Sequence, residues 1–149
     1  MGKIYIRHAQ QISTLFVDPP LKSFDLPSVT EDFDLVITSP YLRCRQTSQI
    51  LSKGRPIYID VRISEYLGNK NKIIDFDLNT QPIPPVNETL EEFTHRVDDH
   101  FNSIKDLPYR ILIVTHSIVV RYLYQKLTGL TLVLHGKDVP FLNGFILEK

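Results

Sequence analysis

Cysteine and net charge are both scarce in this sequence. There is one thiol, Cys44, in 149 residues, and 17 basic side chains face 17 acidic ones. A lone cysteine forms no internal disulfide, which points to a reducing compartment, read here as cytoplasmic. Zero formal charge removes the general electrostatic case for a nucleic-acid or membrane partner. Any anion site must be a local cluster of Arg, Lys and His. No apolar run approaches the length that spans a bilayer, and the segment after Met1 lacks the apolar core of a signal peptide. A glycine-rich nucleotide loop is missing, so ATP use is not indicated. His95 and His100 lie five apart without sharing a helix face, no cysteine is near, and no zinc site is expected.

What is present is an alternation of short apolar strands and amphipathic helices. The length fits one domain, residues 1–149. Lys3–Arg7 reads as a first strand, followed by a proline-rich, loop-like stretch over 9–33. The run Asp34–Pro40 reads as a strand buried on both faces. Ser39 suits a helix N-cap with Pro40 at the first helical position, the helix reaching Ser52 and stopping at Gly54. Pro56–Val61 is a third strand, and residues 62–87 form a long excursion. Leu90, Phe93, Val97, Phe101 and Ile104 recur at helical spacing. Arg110–Thr115 is the most apolar strand; a helix closed by Gly129 follows, and GFILEK is a last edge strand. This pattern predicts a three-layer α/β/α sandwich around a mostly parallel sheet.

One event recurs. An apolar strand ends in histidine, at Ile6-Arg7-His8 and again at Val114-Thr115-His116. The strand that ends at Ile37 delivers Arg43 and Arg45 early in the helix that follows it. Ligands of open α/β sheets bind beyond the carboxyl ends of the strands, so Arg7, His8, Arg43 and His116 can converge on one anion. The residue types suit phosphoryl transfer. Arginine matches phosphate oxygens with paired hydrogen bonds. A neutral imidazole can attack phosphorus, and a carboxylic acid must protonate the leaving oxygen. Arginines and histidines would carry the charge, so neither a metal nor another cofactor is called for. Cys44, beside Arg43, reads as a packing residue rather than a nucleophile.

The segments YIRHAQ, ITSPYLRCRQTSQIL, VRISEYLGN, NETLEEFTHRV and IVTHSIVVRYL resemble, in order, the motifs of the histidine phosphatase superfamily, which includes the cofactor-dependent phosphoglycerate mutases. The resemblance implies a phosphoglycerate mutase-like fold and a nucleophilic His8 that becomes phosphorylated. It implies a phosphate pocket of Arg7, Arg43 and His116, with Ser117 and Thr14 as further substrate contacts and Glu65 as the proton donor. Glu88 competes for the acid role, although its place before a helix suits first-turn chemistry.

Three positions depart from the family pattern. Ala9 and Ser117 stand where glycine is usual, and Thr14 stands where many members have asparagine. The chain is also short for a mutase. The expected activity is therefore a metal-independent phosphomonoester phosphatase acting through phosphohistidine. A phosphate-binding pseudophosphatase is the alternative, with a mutase third. The partner is a phosphorylated substrate, whether small molecule, nucleotide or phosphoprotein. The sequence sets no oligomeric state. Lys70 and Lys72 read either as a solvated loop or as a cationic cap over the substrate.

Overall fold

Strand alternation and helical spacing resolve into one five-stranded sheet in a computed structural model that describes residues 2–7, 32–66, 88–129 and 144–147. The strands are β1 (Lys3–Arg7), β2 (Leu35–Thr38), β3 (Ile57–Ile59), β4 (Ile111–Thr115) and β5 (Gly144–Leu147). Their spatial order is β3-β2-β4-β1-β5. The pairs β1–β4, β2–β4 and β2–β3 are parallel, and β5 closes the edge antiparallel to β1. The helices are α1 (Leu42–Ser52), α2 (Leu90–Ile104) and α3 (Ser117–Thr128), with a 3-10 turn at Val61–Ile63.

Successive strand residues point to opposite faces, and both faces of the sheet are covered. Ile4, Ile6, Val36, Leu112 and Val114 pack on the α1 side with Tyr41, Cys44 and Leu51. Tyr5, Ile37, Ile111 and Ile113 pack on the other side with Phe93, Val97 and Ile104 of α2 and Val119 and Leu123 of α3. The result is the three-layer α/β/α arrangement with a mostly parallel sheet. Each fully buried aliphatic side chain contributes about 1.5–3 kcal/mol, so the central strands dominate the core.

Several boundaries differ from expectation. Helix α1 starts at Leu42, with Tyr41 as N-cap and no capping side chain. Ser39 does not cap it: its hydroxyl accepts the Tyr41 N–H (3.4 Å), ahead of the helix, and lies 2.8 Å from His116 Nε2. The helix ends on Lys53 in the left-handed region (φ 50°), with Gly54 also at positive φ. β3 stops at Ile59, because the Asp60 carboxylate accepts the Arg62 backbone N–H and turns the chain into the 3-10 segment. In α2 the buried stripe is Phe93, Val97, His100 and Ile104, while Phe101 is half-buried and Leu90 lies exposed beside the Thr89–Glu92 capping box. The loop expected over 9–33 lies outside the described residues, except for its last two positions. Of the excursion over 62–87, only residues 62–66 are described.

Two details lock β1. Lys3 is buried, and its Nζ donates to the carbonyls of Leu107 (3.1 Å) and Tyr109 (2.9 Å). Burial lowers its pKa from the ordinary lysine value, and Asp106 works in the opposite direction. Gly144 faces Ile6 across the antiparallel ladder, and any Cβ there would collide with the Tyr5 carbonyl. Only glycine allows that approach.

Candidate active site

The parallel strands end together, and their last residues build the site. The Ser39 backbone N–H donates to the Val114 carbonyl (2.9 Å) and the Asp60 N–H to the Thr38 carbonyl (2.9 Å). Thr115 Oγ1 donates to the Ile63 carbonyl (2.6 Å), pinning the 3-10 turn to the end of β4. These bonds bring the turn after β3, the start of α1 and the start of α3 to one edge.

His116 is the N-cap residue of α3, yet its ring makes no capping bond and reaches sideways. Nε2 lies 2.8 Å from Ser39 Oγ, and Nδ1 lies 3.4 Å from Arg43 Nη2. A guanidinium only donates, so that contact makes Nδ1 the acceptor and leaves Nε2 to donate to Ser39. The Tyr41 ring stands edge-on to the imidazole, with centroids 4.8 Å apart. Cys44 Sγ lies behind it, 3.6 Å from Nε2 and fully buried.

Arg43, in the first turn of α1, is 3 % exposed. Its guanidinium lies over the Tyr41 ring at 4.8 Å, and Nη2 donates to Glu65 Oε2 at 2.7 Å. The Glu65 side chain is more open, at 29 %. A buried cation thus joins an accessible carboxylate to a buried imidazole. Such a set can bind an oxyanion, and it can pass a proton at its open side.

The other expected residues divide. Arg7 ends β1 opposite Thr115, on the strand next to β4, and is half-buried. Ser117 is buried as the first residue of α3. His8, Ala9, Thr14, Lys70, Lys72 and His135 lie outside the described residues. Arg45 is not in the cluster, because its Nε donates to the Pro40 carbonyl (2.8 Å). Glu88 is not there either; Arg96 holds both of its oxygens. Sequence reasoning missed the Ser39 contact with His116, since a hydroxyl before a helix reads first as a cap. It also missed Tyr41, whose ring touches both the His116 imidazole and the Arg43 guanidinium.

The histidine phosphatase superfamily (branch 1) profile matches residues 27–137, and the chain belongs to that superfamily. The matched region contains Arg43, Glu65 and His116, while Arg7 and His8 precede it. Solved structures share the phosphoglycerate mutase-like fold. The alpha-ribazole phosphatase from Shigella flexneri is similar with a TM-score of 0.67 and 21% identity, over 87% of this chain and 80% of that one. YhfR from Bacillus stearothermophilus gives 0.68 and 18%, over 99% and 90%. The ecdysone phosphate phosphatase from Bombix mori, in complex with tungstate, gives 0.61 and 15%, over 97% and 87%. No curated protein sequence matches the chain.

Proposed function

We propose that this member of the superfamily is a metal-independent phosphomonoester phosphatase that acts on a phosphorylated small molecule through a phosphohistidine on His8. The observation that carries the reading is the contact chain Glu65–Arg43–His116 at the carboxyl edge of the sheet, with Arg7 ending the strand next to β4. The named activities of the alpha-ribazole and ecdysone phosphate phosphatases support hydrolysis over mutase chemistry.

In the proposed reaction the His8 imidazole attacks phosphorus in line, forming N–P as the P–O bond to the leaving group breaks. Arg7, Arg43 and His116 hold the non-bridging oxygens, where fixed donors stabilise the developing charge. A dianionic group that draws the Arg43 fork onto its oxygens lets His116 carry a proton at Nδ1 and donate as well. Ser117 contributes the backbone N–H at the start of α3, and Thr14 is a further substrate contact. Glu65 gives its proton to the departing alkoxide, then takes one from the water that attacks phosphohistidine and releases phosphate. These cationic donors supply the charge neutralisation that a metal provides elsewhere.

The test is phosphate release from p-nitrophenyl phosphate across pH, with chelator present, for the wild type and His8→Ala. Turnover is expected to peak at mildly acidic pH, because the reaction needs a neutral nucleophile together with a protonated acid. His8→Ala should lower it by roughly a thousandfold or more. A mutant with near-wild-type turnover would overturn the assignment. Phosphate release that bisphosphoglycerate does not stimulate separates hydrolysis from a mutase reaction.

A further inference from the structure

Glu65 is not held by a strand. It lies in the extended stretch 64–66 that follows the 3-10 turn, and its side chain is the most accessible of the cluster. An acid must meet the leaving oxygen within a few tenths of an ångström, so something must fix this stretch. The structure assigns that task to Arg96, on α2. Nη1 donates to the carbonyls of Arg62 (2.8 Å) and Ser64 (2.7 Å), and Nη2 donates to the carbonyl of Glu65 itself (3.1 Å). The remaining N–H groups go to Glu88, Nη2 to Oε1 at 2.6 Å and Nε to Oε2 at 3.1 Å. All five guanidinium N–H groups are therefore spent, in one plane. That plane lies 4.8 Å from the Phe93 ring centroid, and the Glu88 side chain is only 9 % exposed.

We propose that Arg96, aligned by Glu88, is the positioning residue for Glu65. It fixes the acid's backbone so that the carboxylate meets Arg43 and points at the leaving group. Arg96 touches no reacting atom. The proposal rests on the phosphatase reading above, in which Glu65 is the acid. The arrangement needs the flat fork; a lysine ammonium, a point charge on a flexible stem, cannot serve three carbonyls and a carboxylate in one plane.

The test compares Arg96→Lys and Glu88→Gln with Glu65→Gln and His8→Ala, all in the full chain. Two substrates are used: p-nitrophenyl phosphate, whose leaving group scarcely needs a proton, and an alkyl phosphate, whose leaving group does. The readout is kcat/KM, which stops at cleavage of the P–O bond. Arg96→Lys is expected to lower kcat/KM on the alkyl phosphate by about a hundredfold and on the aryl phosphate far less. The same change made in Glu65→Gln should cost nothing further, and vanadate inhibition should be unchanged. Glu88→Gln should give the same pattern more weakly, and it serves if Arg96→Lys does not fold. Equal losses on both substrates, losses additive with Glu65→Gln, or full retention on the alkyl phosphate would each overturn the proposal. If His8→Ala retains turnover, the phosphatase reading itself fails, and this proposal fails with it.

Discussion

Among the described residues two histidines are buried, and they are held in different ways. His100, on α2, is fully buried. Its Nδ1 donates to Asp60 Oδ2 (2.8 Å), and its Nε2 pairs with the Tyr5 hydroxyl (3.0 Å). Asp60 is itself gripped by Arg62, which also reaches Asp99 and Ser103. The chain runs from β1 to the α2 surface and ends at the exposed carboxylate of Asp99. His116 is as deeply buried, yet its neighbours are a cation, Arg43, and a hydroxyl, Ser39, and that cation leads to the accessible carboxylate of Glu65. The difference teaches what to look for in a buried polar group. An imidazole beside a cation can share an oxyanion with it, whereas one held between a phenol and a carboxylate is spent on structure.

This contrast can be broken most sharply at His116. His116→Ala should lower kcat/KM for phosphate release by roughly 10²–10³-fold, the usual effect of losing one donor to a developing oxyanion, with little change in melting temperature. A large drop in stability with unchanged turnover would place His116 with His100 as a structural residue. His100→Ala is the reciprocal change. It strands both Tyr5 and Asp60, and unfolding free energy should fall by about 3 kcal/mol, with kcat/KM of the folded fraction within a few-fold of wild type. Urea denaturation followed by steady-state assay measures both sides.

A smaller effect sharpens the same comparison through pH. Burial alone would raise the Asp60 pKa, but hydrogen bonds from His100 and Arg62 outweigh it and hold the carboxyl well below its ordinary value. A depressed folded-state pKa means the unfolded chain binds the proton more readily. Asp60 therefore stabilises the fold above the ordinary value of 3.8, and this contribution is lost as pH falls below it. The stability gap between wild type and Asp60→Asn should narrow as urea melts are run from roughly pH 6 down to pH 3. A gap that widens toward acid would refute the coupling. Tyr122 shows the opposite sign: burial and its bond to Asp98 push its phenol up to about 12.

How far the sequence disclosed this depends on whether a residue's partner is local. Strand alternation and the helical stripe are backbone periodicities, so the elements and the layer order could be read directly. Arg43 and His116 could be placed at one edge because strand ends and helix starts are sequence features, whereas only the family resemblance pointed to Glu65. What escaped was the cross-chain pairing. Ser39 reads as a cap until His116 is seen beside it, and Glu88 reads as first-turn charge until Arg96 takes it. His100 occupies a core position in the series Phe93, Val97, His100, Ile104, where spacing invites an apolar residue. Phe101, one position on, is the more hydrophobic neighbour, yet it is only half-buried. A polar residue at a stripe position is the signal that could have revealed His100, since such a residue must be matched by buried partners.

The placement of β1 has a consequence in time. It lies between β4 and β5, so both its neighbours are distant in the chain, and the Lys3 anchor on Leu107 alone spans 104 residues. A ribosome delivers β1 before the other strands of this sheet, yet its edge N–H and C=O groups have no partner strand until the far end of the domain emerges. Closing such long loops comes before any reward from the contacts they make, which slows folding and leaves sticky strands uncovered meanwhile. The arrangement that aligns Arg7 with the β4 edge thus makes the nascent chain dependent on late synthesis, and on whatever shields it until then.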